Sequence, residues 1–297
     1  MPWHTLLGPV QRRPAAALDD WFDALLDECP AASPLELAIG GGRRASTPGL
    51  AFLAGYQAAL RALWPAAPAG LGAFCATEGR QLRPAQLRTR LDGRHLDGEK
   101  DFVTAGPAAQ WLLVPARDEA PGAAAHLAVA VVRVGDPGVR LLPGPPLSLI
   151  PDIPHARLRL EHAPCERLAG DGWDDYVKPF RTHEDLYVLA ALVAWLYGLA
   201  LEQHWPGELP LRLVGLLSGV AEAARQPAGA AATHLLLAGL EAQRRALEPE
   251  VATALAAGSP ELGQLWLRDR GLLLMAGEAR TRRLDKALAE LGIDLHQ

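Results

Sequence analysis

Lysine is nearly missing from this chain. Of 29 basic residues only Lys100, Lys178 and Lys286 are lysines; arginine supplies the rest. With 25 prolines and a preponderance of Ala and Leu, the composition reads as the product of a GC-rich bacterial genome. The formal net charge is −5 and no block of like charge occurs, which argues against a nucleic-acid partner, since phosphate backbones are gripped by basic patches. Cysteine is scarce as well. Cys29, Cys75 and Cys165 are far apart and form no CxxC, an odd, sparse set that fits a reducing, cytoplasmic setting better than a disulfide scaffold.

Metal-ligand spacing is also lacking. The nine histidines include no HxxxH pair and no His/Cys cluster. His155 and His162 lie in a proline-rich strand region and read as solvated or packed imidazoles, so no metal is expected. Met1-Pro2-Trp3-His4 has no basic stretch leading into an apolar run, and no signal peptide is read. The longest uncharged apolar run covers sixteen residues, Leu186 to Leu201. It is short for a bilayer span and follows His183-Glu184-Asp185, so a buried helix is expected rather than a membrane span.

What is present divides the 297 residues into three regions: 1–70, 71–170 and 171–297. The first is helical. Leu18, Trp21, Phe22, Leu25 and Leu26 follow helical spacing. Ser33-Pro34-Leu35-Glu36 has the form of a capping box and starts a second helix, and Thr47-Pro48 starts a third. Gly40-Gly41-Gly42 reads as a flexible loop, because no GxGxxG or GK[ST] accompanies it. Residues 71–170 alternate as strands. Asp92-Gly93 and Asp97-Gly98 read as turns, Leu127–Val134 and Val139–Leu142 as strands, and Pro143 to Pro154 as a connection. From Asp174 onward helices return, at about Asp175–His204, Pro210–Ala224, Ala230–Ala246, Glu248–Ala257 and Pro260–Leu291. The fold class is α+β, with a barrel-like strand domain between helical ends. The apolar faces of Leu213, Leu216, Leu217, Val220, Leu235 to Leu237 and Leu240 exceed what a small bundle hides, which predicts a homo-oligomer, a two-fold dimer in the first instance.

Three segments carry a more specific signal: Phe74-Cys75-Ala76-Thr77-Glu78, then Leu96-Asp97-Gly98-Glu99-Lys100-Asp101-Phe102-Val103-Thr104-Ala105-Gly106, then Trp111 to Arg117. In order and spacing this resembles the strand domain of the acyl-CoA dehydrogenases, and the helical–β–helical arrangement agrees. The chain is short for that family at its N-terminal helical domain. The resemblance implies FAD as cofactor and an acyl-CoA or related thioester as substrate, oxidised at a CH–CH bond. Phe74, Ala76, Thr77, Phe102 and Thr104 would then line the flavin, with Thr104 donating toward N5, and Lys178 would stand beside the acyl pocket.

Some family features are altered. Gly79-Arg80-Gln81-Leu82-Arg83-Pro84 stands where a Pro-x-Ala-Gly-Ser-Asp segment is usual, and Arg80 and Arg83 read either as pyrophosphate ligands or as solvated arginines. Gln203-His204-Trp205-Pro206-Gly207 replaces an Arg-x-x-Phe-Gly ending, with Trp205 either an adenine platform or a packed residue. The catalytic carboxylate is displaced. Glu278 is the nearest match, in a segment that reads as continuous helix, while the alternative position holds Val177. Asp175, Glu184 and Asp185 read as helix-start acids. Weak acyl-CoA dehydrogenase turnover is therefore expected. A catalytically silent partner subunit and a flavin monooxygenase remain the alternatives.

Overall fold

The computed structural model describes residues 3–144, 147–275 and 277–295. Near the N-terminus lie α1 (Trp3–Leu7), α2 (Leu18–Glu28), α3 (Pro34–Arg44) and α4 (Pro48–Leu63). The strands are β1 (Gly72–Phe74), β2 (Arg90–Asp92), β3 (His95–Thr104), β4 (Trp111–Arg117), β5 (Leu127–Arg133), β6 (Val139–Pro143), β7 (His155–Pro164) and β8 (Glu166–Arg167). A π-helical turn, Gly172–Val177, leads into α5 (Lys178–Glu202), followed by α6 (Glu208–Ala223), α7 (Ala231–Gly258), α8 (Pro260–Asp269) and α9 (Gly277–Leu291). Two compact units result: Met1–Ala15, Leu25–Ala59 and Thr182–Gln297 form one, Ala16–Ala24 and Leu60–Arg181 the other.

The second unit holds every strand. Its sheet runs β6-β7-β3-β2-β4-β5-β8, with β1 added in parallel on β4. The sheet is open, ending at β6 and β8, and forms the strand domain between helical ends that the sequence suggests. Asp92 pairs with His95 across the Gly93-Arg94 turn, as the Asp-Gly signal predicts. Asp97-Gly98 is not a turn. It continues β3 through a register shift opposite β7, where His162 takes a left-handed φ of 50°. Ala73, Cys75, Leu96, Val103, Leu112, Val114, Ala130, Val132, Leu158 and Leu160 share one core. Period-two alternation turns Phe74 and Thr104 to the opposite face.

The first unit is helical, and Ser33 forms the expected capping box with Glu36. The Gly40-Gly41-Gly42 loop expectation is overturned: all three glycines are buried inside α3. A Cβ on Gly42 would lie 2.1 Å from the Ala191 carbonyl oxygen in α5, and one on Gly41 would lie 2.4 Å from the Ala54 Cβ in α4. Gly55 meets the Tyr187 carbonyl in the same way, at 2.6 Å. Here glycine serves close backbone packing, which outweighs its weak helix propensity. The apolar α5 is mostly buried, although by length and composition it could cross a membrane. Buried Arg43 holds the N-terminal stretch, donating to the Leu6 and Gly8 carbonyls at 2.6 and 2.7 Å from beneath the Tyr197 ring.

Two helix boundaries differ from the sequence reading. α7 runs through Pro249 without the break expected near Leu247, because one missing N–H costs less than exposing Leu247, Val251 and Leu255. The helix expected from Pro260 to Leu291 is interrupted by a 3₁₀ turn at Arg270–Leu274. Leu213, Leu216, Leu217, Val220, Leu237 and Leu240, which suggested an apolar surplus, are buried within the chain.

The glycine packing predicts opposite signs for two helix substitutions. Gly42→Ala should destabilise by about 1–3 kcal/mol, since the clashing atom is backbone. Gly215→Ala in α6, with nothing within 4 Å of the added Cβ, should stabilise by about 0.5–1 kcal/mol. Equal shifts in denaturant midpoint would rule out the packing argument.

Candidate functional site

The three resembling segments meet around one buried ion pair. The Lys100 Nζ donates to Glu78 Oε1 and to the Pro115 carbonyl, both at 2.6 Å, and its side chain is fully buried. The Glu78 carboxylate also accepts the Arg88 N–H at 2.5 Å and that of Thr89 at 3.3 Å. Burial works to raise the Glu78 carboxyl, and Lys100 with these hydrogen bonds outweighs it, leaving the group below its ordinary value. Burial pulls the Lys100 ammonium down against the attraction of Glu78.

Beside Lys100 the strand bulges. Lys100 pairs with Leu158 and Val103 with Ala156, so Asp101 and Phe102 together oppose Arg157. The Asp101 N–H released by the bulge donates to the Thr77 carbonyl at 2.8 Å, and the Asp101 carboxylate accepts the Arg80 N–H at 2.8 Å. The bulge leaves the Phe102 ring 37 % exposed, and two residues on the chain enters Thr104, 8 % exposed. Neither the Thr104 hydroxyl nor that of Thr77 meets a partner among the described residues. Ala76 is half-buried at the exit of β1. An open aromatic ring and a free hydroxyl on one strand end suit a flat heterocycle with a polar edge, so the residues present fit a flavin ring.

Phe74 is less available than the sequence suggests. It stacks on Phe180 of α5 with ring centres 4.6 Å apart and planes at 25°. Phe180 was not singled out by sequence, because 105 residues separate the two rings and neither segment announces the other. Lys178 is solvent-facing, pairs with Asp174 one turn earlier and lies 5.8 Å from the Trp173 ring centre. Cys75 is buried in the strand core, where burial pushes its thiol up to about 12 and removes it as a nucleophile.

Asp171 caps the π-turn by accepting the Trp173 and Asp174 N–H groups at 2.9 and 2.6 Å, and Asp175 returns a bond to the Asp171 N–H. Exposed His126 bridges this cap to the preceding loop, with Nδ1 2.5 Å from Asp118 and Nε2 3.2 Å from Asp171. In the helical unit, Glu278 lies in the first turn of α9 with its side chain 93 % exposed, and Arg282 is its ion-pair partner at 3.7 Å. Asp185 is engaged by Arg280 and Arg283 at 2.9 and 2.6 Å. Trp205 is buried and donates to Gln203, as a packed residue does. His183 is pushed down to about 4 by burial, and its Nδ1 has no partner among the described residues.

Among solved structures, the chain matches FkbI, described for biosynthesis of the methoxymalonyl extender unit of the Fk520 polyketide, at 20 % identity and a TM-score of 0.64, covering 98 % of this chain and 96 % of that one. The FAD complex of PigA matches at 15 % and 0.65, covering 93 % and 90 %. Butyryl-CoA dehydrogenase from Megasphaera elsdenii matches at 15 % and 0.65, covering 86 % and 81 %. The fold is that of the acyl-CoA dehydrogenases. No family model and no curated protein matches the chain.

The pair at the centre of the site predicts strong coupling. Glu78→Gln should cost roughly 3–5 kcal/mol by leaving Lys100 buried and unpaired, and Glu78→Gln/Lys100→Met should cost less than the two single changes added. The Glu78 carboxyl lies below its ordinary 4.5 when folded, so its contribution is complete above that pH and declines as pH falls through the lower folded value. Additive single effects in urea unfolding would disprove the pairing.

His126 behaves in the opposite sense. The Asp118 hydrogen bond raises its imidazole above the ordinary 6.5, so its contribution is full below that value and is lost as pH rises through the folded one. Histidine NMR titration should find an elevated His126 that Asp118→Asn returns toward 6.5; an unchanged midpoint would count against the bridge.

Proposed function

We propose that this chain is an acyl-CoA dehydrogenase-like flavoprotein that holds FAD at the bulged end of β3 and acts on a CH–CH bond of an acyl thioester, with weak or altered activity. The observation that carries the reading is the open Phe102 ring next to the unpartnered Thr104 hydroxyl, fixed by the Asp101 bulge. The PigA and butyryl-CoA dehydrogenase structures supply the analogy, one of them as an FAD complex. When bound, FAD would accept a hydride from the substrate β-carbon. Phe102 would pack on the ring, and Thr104 would donate toward its N5 edge. Phe74, Ala76 and Thr77 would border the ring, with Lys178 beside the acyl group.

The α-proton needs a carboxylate or imidazole within hydrogen-bond reach, screened from water. Glu278 is the candidate for that role, and its near-complete exposure beside Arg282 favours slow proton removal. The same exposure favours the second reading, a silent partner subunit or a flavin monooxygenase that needs no such base. A homo-oligomer is part of the proposal, supported by the exposed Leu211, Leu236 and Leu267. So is a cytoplasmic location, supported by three free cysteines.

The purified protein should carry FAD, and anaerobic acyl-CoA should bleach it slowly, with Glu278→Gln slowing the bleaching further by a factor on the order of 100 or more. Phe102→Ala and Thr104→Val should each weaken FAD binding while leaving the unfolding midpoint nearly unchanged. Absence of any flavin binding would reject the proposal. Flavin that no acyl thioester reduces would leave the monooxygenase reading standing.

A further inference from the structure

At the end of β3 a second polar side chain shares the face of Thr104. Thr104 pairs directly with His155, the first residue of β7. Their neighbours Val103 and Ala156, also a direct pair, belong to the strand core, so Thr104 and His155 both turn to the other side. Residues directly opposite in an antiparallel pair hold their Cβ atoms about 4.5–5.5 Å apart, within the span of an imidazole side chain.

The half-buried imidazole is held in one orientation. Its Nδ1 lies 2.9 Å from the Ile153 carbonyl, which can only accept, so Nδ1 carries the hydrogen. Ile153 is itself fixed: it is buried, and its N–H donates to the Ile150 carbonyl at 2.9 Å. Burial lowers the ring below the ordinary 6.5 against the Ile153 bond, which leaves it uncharged at neutral pH. Nε2 is then a bare acceptor pointing away from Ile153, and it has no partner among the described residues. A hydroxyl without a partner and a nitrogen without one thus stand on one face and one rung of the sheet.

We propose that His155 positions the Thr104 hydroxyl for both redox forms of a bound flavin, its Nε2 taking the Thr104 hydrogen when the ligand atom facing Thr104 carries a hydrogen of its own; this rests on the function proposed above. Toward an oxidised ring, whose N5 is a bare nitrogen, Thr104 donates. Toward a reduced ring, whose N5 carries hydrogen, Thr104 must accept, and its own hydrogen then needs another acceptor. His155 supplies one from the adjoining strand; without it that hydrogen is stranded on a half-dry face. The pair therefore selects for the reduced ring.

Binding of FAD and of dithionite-reduced FAD to the flavin-free protein, both without oxygen, reads this selection. His155→Phe keeps a ring and removes the acceptor; it should weaken the reduced form about fivefold more than the oxidised one, the worth of one hydrogen bond. His155→Gln, which restores an acceptor, should recover most of that selectivity. In a Thr104→Val background, His155→Phe should change the ratio no further. Equal weakening of both forms, or the same selective loss without the Thr104 hydroxyl, overturns the proposal. If His155→Phe fails to fold, nitrogen-15 NMR of the flavin-free wild type decides: a bare Nε2 supports the proposal, and hydrogen on Nε2 overturns it. A wild type that binds FAD in neither form removes the flavin reading itself, whereas FAD bound with an unchanged ratio in His155→Phe removes only the role of His155.

Discussion

The arrangement of the strand unit turns on the buried contact between Glu78 and Lys100. A lysine with no solvent exposure is costly unless its charge is met, and here a carboxylate and a carbonyl meet it at 2.6 Å. The same carboxylate gathers the Arg88 and Thr89 amides, so one side chain fixes both ends of the loop after β1. With residues 77–80 held against β3, the Thr77 carbonyl can take the amide that the bulge leaves free. Without that acceptor the bulge would strand an N–H, and Asp101 and Phe102 would gain by falling back into register. The outward Phe102 ring is thus a consequence of a charge pair two residues away.

That dependence explains what was legible in the sequence. Asp92-Gly93, the Ser33 capping box and the spacing from Leu18 to Leu26 are local signals, and the chain obeys them. Gly40-Gly41-Gly42 and Asp97-Gly98 carry equally strong local signals and do the opposite of what those signals suggest. In the first case, the Ala191 carbonyl of α5 comes closer to Gly42, and the Ala54 Cβ of α4 closer to Gly41, than any Cβ permits; in the second, Thr89 Oγ1 would lie 2.5 Å from a Cβ on Gly98. A glycine required by a neighbour distant in sequence looks the same as one required by a turn. Pro249 makes the same point, since the buried residues on either side of it determine whether the helix continues.

The strands that carry the proposed site were legible to a similar depth. Phe74, Ala76, Thr77, Phe102 and Thr104 follow from two segments whose spacing already implies paired strands, and β1 and β3 are linked through the Thr77–Asp101 bond. The stack of Phe180 on Phe74 could not be read, because it needs a helix start to meet a strand. Lys100 was visible as one of only three lysines, in a strand run that also carries Asp97, Glu99 and Asp101. Its partner is the glutamate of the other segment rather than the adjacent Glu99 or Asp101, a choice made only by the folded strands.

Identity of 15–20 % with TM-scores near 0.65 shows how little of a sequence this backbone requires. The demanding positions are those where backbones touch, as at Gly42 and Gly55, where a ring covers the chain, as Trp111 does at Gly72, or where a charge is enclosed, as at Glu78 and Lys100. Between them, loop residues are free to change without moving a strand, and chemistry changes there first. The turn at Gly79-Arg80 illustrates this: the flanking Glu78–Gln81 bonds fix its path, while its side chains are unconstrained by packing. Arginine in a left-handed position keeps a backbone strain that glycine would not, and the fold tolerates it there. A fold held by a few buried contacts can keep its backbone path while the exposed side chains of its loops change.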